Sequence, residues 1–420
     1  MKKYFKNLIL TSMPLSVLPI ALAAVSCSTE HPKKPKELIA KVNFKNNLDL
    51  TEEEALNAPK IALIPDGNLY DNSFHQSGWE GIIQLAEHNN IPLEKYDAFE
   101  LDASKNFKNI YDTAMLQGST IWVLVGFDNK TPFEEYYQSN KQKFIDNKII
   151  VVTVDFETDP SITNGNVISL LYNSKEGGFI AGYAAGEYLS TLPEEKRTFN
   201  TFGGQLFDGV TDYMEGFLKG ILYWNTKNPT KKLHSLTRND QVYVNALFDI
   251  TAQNKQSEVE NNSVSLNPTI TLPVGGLWTQ FISAKPSTKY VVGVDTDQSL
   301  ADSAHSSKYF TSVLKNIAQS VYESVSYIIK KDFSKLNGFK LLENNAVIKR
   351  GVSEDWVNVS STHVVDDAPR AERALDDSKE IFKNLNSQER EWINSSKATM
   401  EGNAFTNIQE RLNELAKATK

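Results

Sequence analysis

From Lys60 onward, short apolar runs alternate with longer amphipathic runs, a pattern that predicts parallel sheets covered by helices. The predicted strands are Ile61–Ile64, Ile121–Val125, Ile149–Val154, Val167–Leu171, Thr198–Phe202, Val242–Leu247, Thr269–Val274 and Tyr290–Val294. The predicted helices cover about 74–89, 104–117, 132–145, 175–190, 208–224 and 314–331. So many strands over this length favour two sheets. A single eight-stranded barrel is the competing architecture, but the irregular spacing and a late strand pair near 339–349 count against it.

The first strand, loop and helix form the segment on which the rest of this interpretation depends. Ile61–Ile64 ends at a proline-glycine break, and a helical pattern resumes at about Phe74. Ligands of open α/β sheets bind outside the carboxyl ends of the strands, so the loop Asp66–Gln76 is a candidate binding edge. An ordinary solvated loop fits the same pattern.

Aspartates stand at the ends of three predicted strands. Asp66 ends the first, Asp155 ends the strand at 149–154, and Asp295 with Asp297 ends the strand at 290–294. These carboxylates could face one cleft. Acidic residues also cap turns of this kind for purely local reasons, so the pattern alone leaves both interpretations open.

The N-terminus has the features of a secretory signal: lysines, an apolar run Leu8–Val25, then small residues. Cys27, the only cysteine of the chain, follows directly. This stretch resembles a bacterial lipobox, which implies removal of residues 1–26 and lipid attachment to Cys27. Residues 27–59 are polar and contain prolines, so they predict a semi-extended linker that holds a soluble domain off the bilayer.

Composition excludes several functional classes. The 420 residues carry a net charge of −8 without a large basic block, which argues against a nucleic-acid surface. Common hydrolase, metalloprotease, redox and phosphate-binding motifs are missing, and the six histidines lack metal-ligand spacing. We therefore expect no cofactor, no metal and no catalytic activity. The polar segment 225–268 predicts surface insertions, and a glycine pattern at 178, 182 and 186 predicts close packing of a helix on a sheet.

Several motifs together resemble one known family. They are DGNLYDNSFHQSGWEG, NVISLLYNSKEGGFIAGYAAG, FGGQLFDGVTDYMEGFLKGI, LPVGGLW, VVGVDTDQ and TSVLKNI, in that order. The chain resembles the Bmp/Med family of lipoproteins, also called PnrA-like, over about 60–331 apart from the 225–268 insertions. Each motif alone has low specificity, and their shared order carries the assignment.

The resemblance implies an α/β fold of the type 1 periplasmic binding protein class, with two lobes and a hinge crossed three times. We place the crossings near 157–165, 296–310 and 331–338. The first lobe is then 60–157 plus 298–331, and the second is 158–297 plus 332–400. A helical tail, 401–420, follows.

The resemblance also implies a site. Phe74 and Tyr213 would stack on the two faces of a base, and Asp155 would recognise its edge. Asp66, Lys315 and either Asp295 or Asp297 would contact ribose. The remaining expected ligand-binding residues are Asp71, Ser73, Gln76, Gly275 and Gly276. His75 stands where the family has asparagine, and catalysis by this histidine is disfavoured.

The function implied is capture of a nucleoside, with purines favoured, and its delivery to the permease and ATPase subunits of an ABC importer. The expected protein is a monomer held by lipid on the outer face of the bacterial cytoplasmic membrane. A surface lipoprotein with an adhesion or host-interaction role and a vestigial pocket is the alternative. A nucleoside-cleaving enzyme is a third, disfavoured possibility.

Overall fold

The computed structural model describes residues 30–44, 49–101 and 105–420. The predicted signal and Cys27 lie outside this part of the chain. The described helices include none that is long and apolar enough to cross a membrane.

The first lobe is built on a six-stranded parallel sheet of order β12-β5-β4-β3-β1-β2. Its central strands are buried along their whole length, as strands covered by helices on both faces should be. The strands are β1 (Ile61–Pro65), β2 (Tyr96–Ala98), β3 (Ile121–Val125), β4 (Ile150–Val154), β5 (Val167–Tyr172) and β12 (Ala346–Arg350). The helices are α1 (Glu52–Leu56), α2 (Phe74–Asn89), α3 (Phe107–Leu116), α4 (Lys130–Asp146) and α9 (Ile317–Ile329).

The second lobe has a seven-stranded sheet of order β13-β11-β10-β9-β6-β7, with β8 also paired to β6. Only the edge strand β13 is antiparallel to its neighbour. The strands are β6 (Thr198–Gly203), β7 (His234–Ser235), β8 (Tyr243–Val244), β9 (Ile270–Val274), β10 (Tyr290–Asp295), β11 (Tyr309–Lys315) and β13 (Val357–Val359). The helices are α5 (Ser174–Leu189), α6 (Asp208–Lys227), α7 (Lys255–Asn262), α8 (Trp278–Ser283), α10 (Ala368–Lys383), α11 (Ser387–Asn394) and α12 (Ile408–Ala418).

The chain passes between the lobes three times, but at other places than the sequence predicts. The crossings fall at Asn173 between β5 and α5, at Asn316 between β11 and α9, and at 351–356 between β12 and β13. All three predicted positions, near 157–165, 296–310 and 331–338, are therefore wrong. Among the described residues, the first lobe comprises 30–44, 49–101, 105–172 and 317–350, and the second comprises 174–315 and 357–420.

The physical reason for these errors is strand pairing. An apolar run identifies a buried strand but not the sheet in which it pairs, and β5 pairs with β4 in the first sheet. One strand is also missing from the sequence-based prediction, which begins a helix at 314, whereas β11 ends at Lys315. This strand pairs with β10 in the second sheet. Aromatic and β-branched residues in YFTSV suit that strand.

Three segments predicted to be peripheral belong to the lobes. Residues 30–44 and 49–59, expected to be a semi-extended linker, pack against the first lobe. Within 225–268, β8 lies in the predicted strand Val242–Leu247, but β7 lies in a polar flank that was predicted to be an insertion, and both strands extend the second sheet by pairing with β6. The helical tail 401–420 contributes Leu412 and Leu415 of α12 to the second core. The segment that motivated the adhesion alternative is thus partly built into a sheet.

The glycines of α5 serve helix–helix packing, not the predicted helix-on-sheet packing. A Cβ at Gly178 would lie 2.6 Å from the backbone oxygen of Tyr213 on α6, so only glycine lets the two backbones approach this closely. This contact fixes α6, which carries one wall of the cleft.

A buried group of charges joins α5 and α6 to the C-terminal segment, and we call it the second-lobe ion cluster. Its members are Lys175, Asp212, Glu215, Lys219 and Arg411. Glu215 is fully buried, accepts from Arg411 Nε at 2.7 Å and lies 2.9 Å from the ammonium of Lys175. Lys219 donates to the carbonyl oxygens of Trp392, Ile393 and Ser395 at 2.8 to 3.0 Å.

Candidate ligand site in the cleft between the lobes

Three charged side chains from strand ends meet in the cleft. Asp155 follows β4 of the first lobe, whereas Asp295 and Lys315 end β10 and β11 of the second. The Lys315 ammonium lies 2.6 Å from Asp155 Oδ2 and 3.9 Å from Asp295 Oδ1. Lys315 is 2% exposed, so this ion pair is formed almost without water. The two expected carboxylates are therefore brought together across the lobes by one cation.

Both aspartates have left-handed backbone conformations, with φ +70° at Asp155 and +67° at Asp295. Such conformations cost roughly 1–3 kcal/mol for a non-glycine residue and persist only where the surroundings enforce them. The turn at each strand end holds its carboxylate at the edge of the sheet. Burial raises the pKa of Asp155, and this effect outweighs the opposing influence of Lys315.

Aromatic rings from both lobes face the Lys315 ammonium. Phe74 begins α2 in the first lobe, Tyr213 lies on α6 in the second, and Tyr172 ends β5. Their ring centroids lie 5.4, 5.0 and 5.4 Å from Nζ, within cation–π range. Phe74 and Tyr213 thus come from opposite walls and are directed at one point.

Asp295 also links the walls by hydrogen bonds. The Tyr213 hydroxyl donates to Oδ1 at 2.6 Å, and the Ser73 hydroxyl donates from the first lobe to Oδ2 at 3.2 Å. Burial, followed by the charges of Asp295 and Asp155, raises the pKa of Tyr213 well above its ordinary value, so its hydroxyl remains a donor. We call Ser73, Phe74, Asp155, Tyr213, Asp295 and Lys315 the cleft cluster.

A second group of charges lies at the carboxyl end of β1, within the first lobe. His75 Nε2 is 2.7 Å from Asp66 Oδ1, and Nδ1 is 2.8 Å from Asp71 Oδ2. The backbone N–H of Asp128 donates to the other oxygen of Asp66 at 2.7 Å. Burial opposes a charge on His75, but Asp71 and Asp66 outweigh it and raise its pKa to about 10. The histidine is therefore a doubly donating cation that holds both aspartates.

Other expected site residues lie apart from the cleft cluster. Asp71 accepts from the backbone N–H groups of Ser73 and Gln76 and so shapes the loop. The Gln76 amide donates to Glu80 at 2.7 Å and to the carbonyl of Glu37 at 3.3 Å, beneath the N-terminal segment. Asp297 pairs with His363 Nε2 at 2.9 Å.

The two glycines after β9 line an apolar part of the cleft edge. Gly275 and Gly276 have φ of +153° and +52°, and both lie beside Phe248. The Phe207 ring neighbours Phe248 at 6.3 Å and stacks on Phe127 of the first lobe, with centroids 5.0 Å apart.

Sequence reasoning missed Tyr172, Phe127 and Phe207. Tyr172 ends β5, so the strand-end rule identifies it once β5 is placed in the first sheet. Phe127 follows β3 directly and was accessible to the same rule. Phe207 lies inside the motif FGGQLFDGVTDYMEGFLKGI, but nothing in the sequence indicates that its ring contacts Phe127 of the other lobe.

Comparisons with known proteins identify the family of the chain. Residues 58–391 match the family model Bmp, described as ABC transporter substrate-binding protein PnrA-like. The chain belongs to this family.

Curated relatives agree with that assignment, and a solved structure has a similar fold. "Basic membrane protein A" of Borreliella afzelii is 22% identical over 302 residues, which is 71% of this chain and 82% of that one. The "ABC transporter nucleoside-binding protein BmpA" of Lactococcus lactis is 26% identical over 163 residues, only 38% of this chain and 42% of that protein. A solute-binding protein of an Aeropyrum pernix ABC transporter system superposes with a TM-score of 0.59 at 14% identity, covering 86% and 99% of the chains.

The type 1 periplasmic binding protein fold predicted from sequence is therefore confirmed. Proteins of the matched family bind substrates for ABC transport, which is a binding role and not a catalytic one.

Proposed function

We propose that the cleft binds a nucleoside, with purines favoured, and that the protein delivers it to an ABC importer. One observation carries this proposal: Phe74 and Tyr213 face the same point from opposite lobes, beside two partly buried carboxylates. Two opposed rings suit a flat heteroaromatic ligand, because stacking contributes about 1–3 kcal/mol per base whatever the base is. The Lactococcus relative, which is named a nucleoside-binding protein, supports the same ligand class.

The polar groups divide into two sets in this proposal. Asp155 accepts from N–H groups on the edge of the base, and the Lys315 ammonium at 2.6 Å favours the charged carboxylate against the opposing effect of burial. Asp295 accepts from the ribose hydroxyls. Tyr213 and Ser73 each donate one hydrogen bond to this carboxylate, and its remaining lone pairs can accept from the ligand. Asp66 also has oxygens at the cleft wall, but its partners His75 and the Asp128 N–H both belong to the first lobe and stay with it when the cleft opens, so we assign it a secondary role.

The proposal includes a lipid anchor on Cys27 that keeps the protein on the outer face of the cytoplasmic membrane. It also includes closure of the lobes over the ligand. Lys315 stands next to the crossing at Asn316, and its contacts with Asp155 join the lobes. Opening of the cleft therefore has to break or lengthen this ion pair.

The proposal is tested by calorimetric titration of Phe74→Ala with a panel of nucleosides and free bases. We expect binding to every ligand of the panel to weaken by about 1–3 kcal/mol, because stacking does not depend on base identity. Phe107→Ala is the matched control, because Phe107 also begins a first-lobe helix and is also partly buried. It should lose stability and keep its affinity.

Two results would contradict the proposal. Wild-type protein that binds neither nucleosides nor bases would remove the ligand class altogether. A Phe74→Ala variant with a lower melting temperature and unchanged affinity would show that this ring packs α2 and does not contact the ligand.

A further inference from the structure

Residues 30–44 form a strap that is fastened to the outer face of the first lobe. The carbonyl oxygen of Lys33 accepts from the Trp79 indole N–H at 2.8 Å, and the Lys33 ammonium lies 2.8 Å from Asp97 of β2. The buried His31 ring packs on Trp79 and Tyr96 with centroids 5.1 and 4.9 Å apart. The strap therefore begins at the edge strand β2.

The same strap satisfies buried polar groups on α2. The fully buried carboxylate of Glu80 accepts from the backbone N–H groups of Ile39 at 3.0 Å and Ala40 at 2.7 Å. The Gln84 amide oxygen accepts from the Val42 N–H at 3.0 Å. Without the strap, these side chains would lose donors that water would have to replace, so the strap is an integral part of the lobe.

The position where the strap begins sets a short limit on the distance to the proposed lipid anchor. Cys27 precedes Glu30 by three residues, and a chain of that length spans at most roughly 11 Å. A free linker over 27–59 would instead have an average end-to-end distance of about 30 Å. The docked strap thus removes the freedom that the sequence predicts for this segment.

We propose that the β2 edge of the first lobe lies against the membrane surface, held there by the strap. This inference rests on the proposed lipid anchor on Cys27. It assigns one partner, the lipid surface, to one edge of the molecule. Lys33 is paired with Asp97, and Lys34 is paired with Glu30 and Glu87. These two lysines are therefore already neutralised, and the proposal attributes the apposition to the short connection.

The experiment places a fluorophore on an introduced cysteine in lipidated full-length protein, with Cys27 blocked by its lipid. The two labelling variants are Glu94→Cys and Lys383→Cys. Glu94 lies just before β2, Lys383 is the last residue of α10 in the second lobe, and both side chains are exposed. The vesicles are phosphatidylcholine with a nitroxide-labelled headgroup as quencher. We expect strong quenching at position 94 and little at position 383. Equal quenching at both positions, or none at either while the protein is vesicle-bound, would overturn the inference.

Two variants separate the possible causes. A flexible insert of about twenty Gly and Ser residues before Glu30 adds roughly 25 Å of reach and should abolish most of the quenching at position 94. Quenching that survives the insert, or that appears only when phosphatidylglycerol is added, would show charge attraction and contradict the strap. If wild-type protein fails to partition with vesicles, as Cys27→Ser should, the lipid anchor itself is wrong.

Discussion

The cleft cluster and the second-lobe ion cluster both bury lysine beside carboxylates, but they differ in what holds the charges. Lys315 meets one carboxylate from each lobe, and both aspartates have left-handed backbones. In the other cluster, Lys175 and Glu215 lie on adjacent helices of one lobe. Every charge there is enclosed by the same folded unit.

This difference separates a rearrangeable site from a permanent one. In the proposed function, the lobes move apart and break the Lys315 contacts while each sheet remains intact, and ligand groups replace these contacts. The second-lobe ion cluster can be opened only by moving the segment that supplies the carbonyl oxygens around Lys219. Charge in the cleft should therefore control binding, and charge in the second lobe should control stability.

The largest expected effect is on stability. Glu215→Ala leaves Arg411 without its buried carboxylate and leaves Lys175 with Asp212 alone at 3.3 Å, and removing one partner of a buried ion pair costs about 3–5 kcal/mol. Urea unfolding of the variant measures the loss. Glu414→Ala is the control, because Glu414 pairs with Lys417 on the exposed side of the same helix as Arg411 and should cost roughly 0–1 kcal/mol. Similar losses in both variants would contradict the proposed difference between buried and exposed charge.

A second test concerns pH, because His75 is a charged group on the cleft wall that belongs wholly to one lobe. Its pKa rises from 6.5 to about 10 on folding, so the stabilisation is complete below about pH 6.5 and is lost as the pH rises towards 10. Within that window the free energy of unfolding should fall by up to about 1.4 kcal/mol per pH unit. His75→Asn should remove this slope.

The measurement is urea unfolding at several pH values in that window for wild type and variant. Other groups titrate there as well, so the difference between the two curves carries the result. The partly exposed His234 of β7 provides the control, and His234→Asn should keep the wild-type slope. Parallel curves for wild type and His75→Asn would show that the Asp66 and Asp71 contacts do not hold a charged histidine.

The third test separates two aspartates that are two residues apart. Asp295 contacts Tyr213 and Ser73 in the cleft, whereas Asp297 pairs with His363. Asp295→Asn should weaken nucleoside binding by about 1.5–3 kcal/mol and free-base binding much less. Asp297→Asn should change either affinity by less than about 0.5 kcal/mol. Calorimetry on both variants decides the matter, and equal effects would remove the ribose assignment.

Much of this architecture could be predicted from the sequence, because the period of the apolar residues directly reports burial. The bounds of β1, β3 and α2 follow their apolar patterns almost residue by residue. Strand ends also gave Asp155 and Asp295, since the topology of parallel sheets places such ends at one edge. Local pattern thus predicted elements and candidate carboxylates together.

The pattern of apolar residues could not predict which other part of the chain each element contacts. β5 has the same apolar composition whichever sheet it joins, so the lobe boundaries were wrong. The choice between Asp295 and Asp297 depended on side-chain direction, which two neighbouring aspartates do not reveal. Residues 30–44 appeared to be a linker because their contacts are made by backbone N–H groups to Glu80 and Gln84, and polar composition carries no sign of that docking.

The smallest expected effect concerns the rings that join the lobes outside the charged cluster. Phe127 and Phe207 stack across the cleft at 5.0 Å, and such a pair contributes about 0.5–1.5 kcal/mol beyond its buried area. Because the contact exists only between the lobes, it should favour closure and leave each lobe's own stability unchanged. Phe207→Leu should therefore weaken ligand binding by roughly that amount, mainly through faster dissociation.

A double-mutant cycle makes this last prediction specific to the pair. Adding Phe127→Leu to Phe207→Leu should cause little further loss of affinity, because the stacking partner is already missing. Phe333→Leu serves as the control, since its ring packs on Phe339 at 5.4 Å inside the first lobe and should affect unfolding but not dissociation. Fully additive losses from the two cleft variants would mean that each ring acts separately. In that case the stacking of the two rings on each other would contribute nothing to closure.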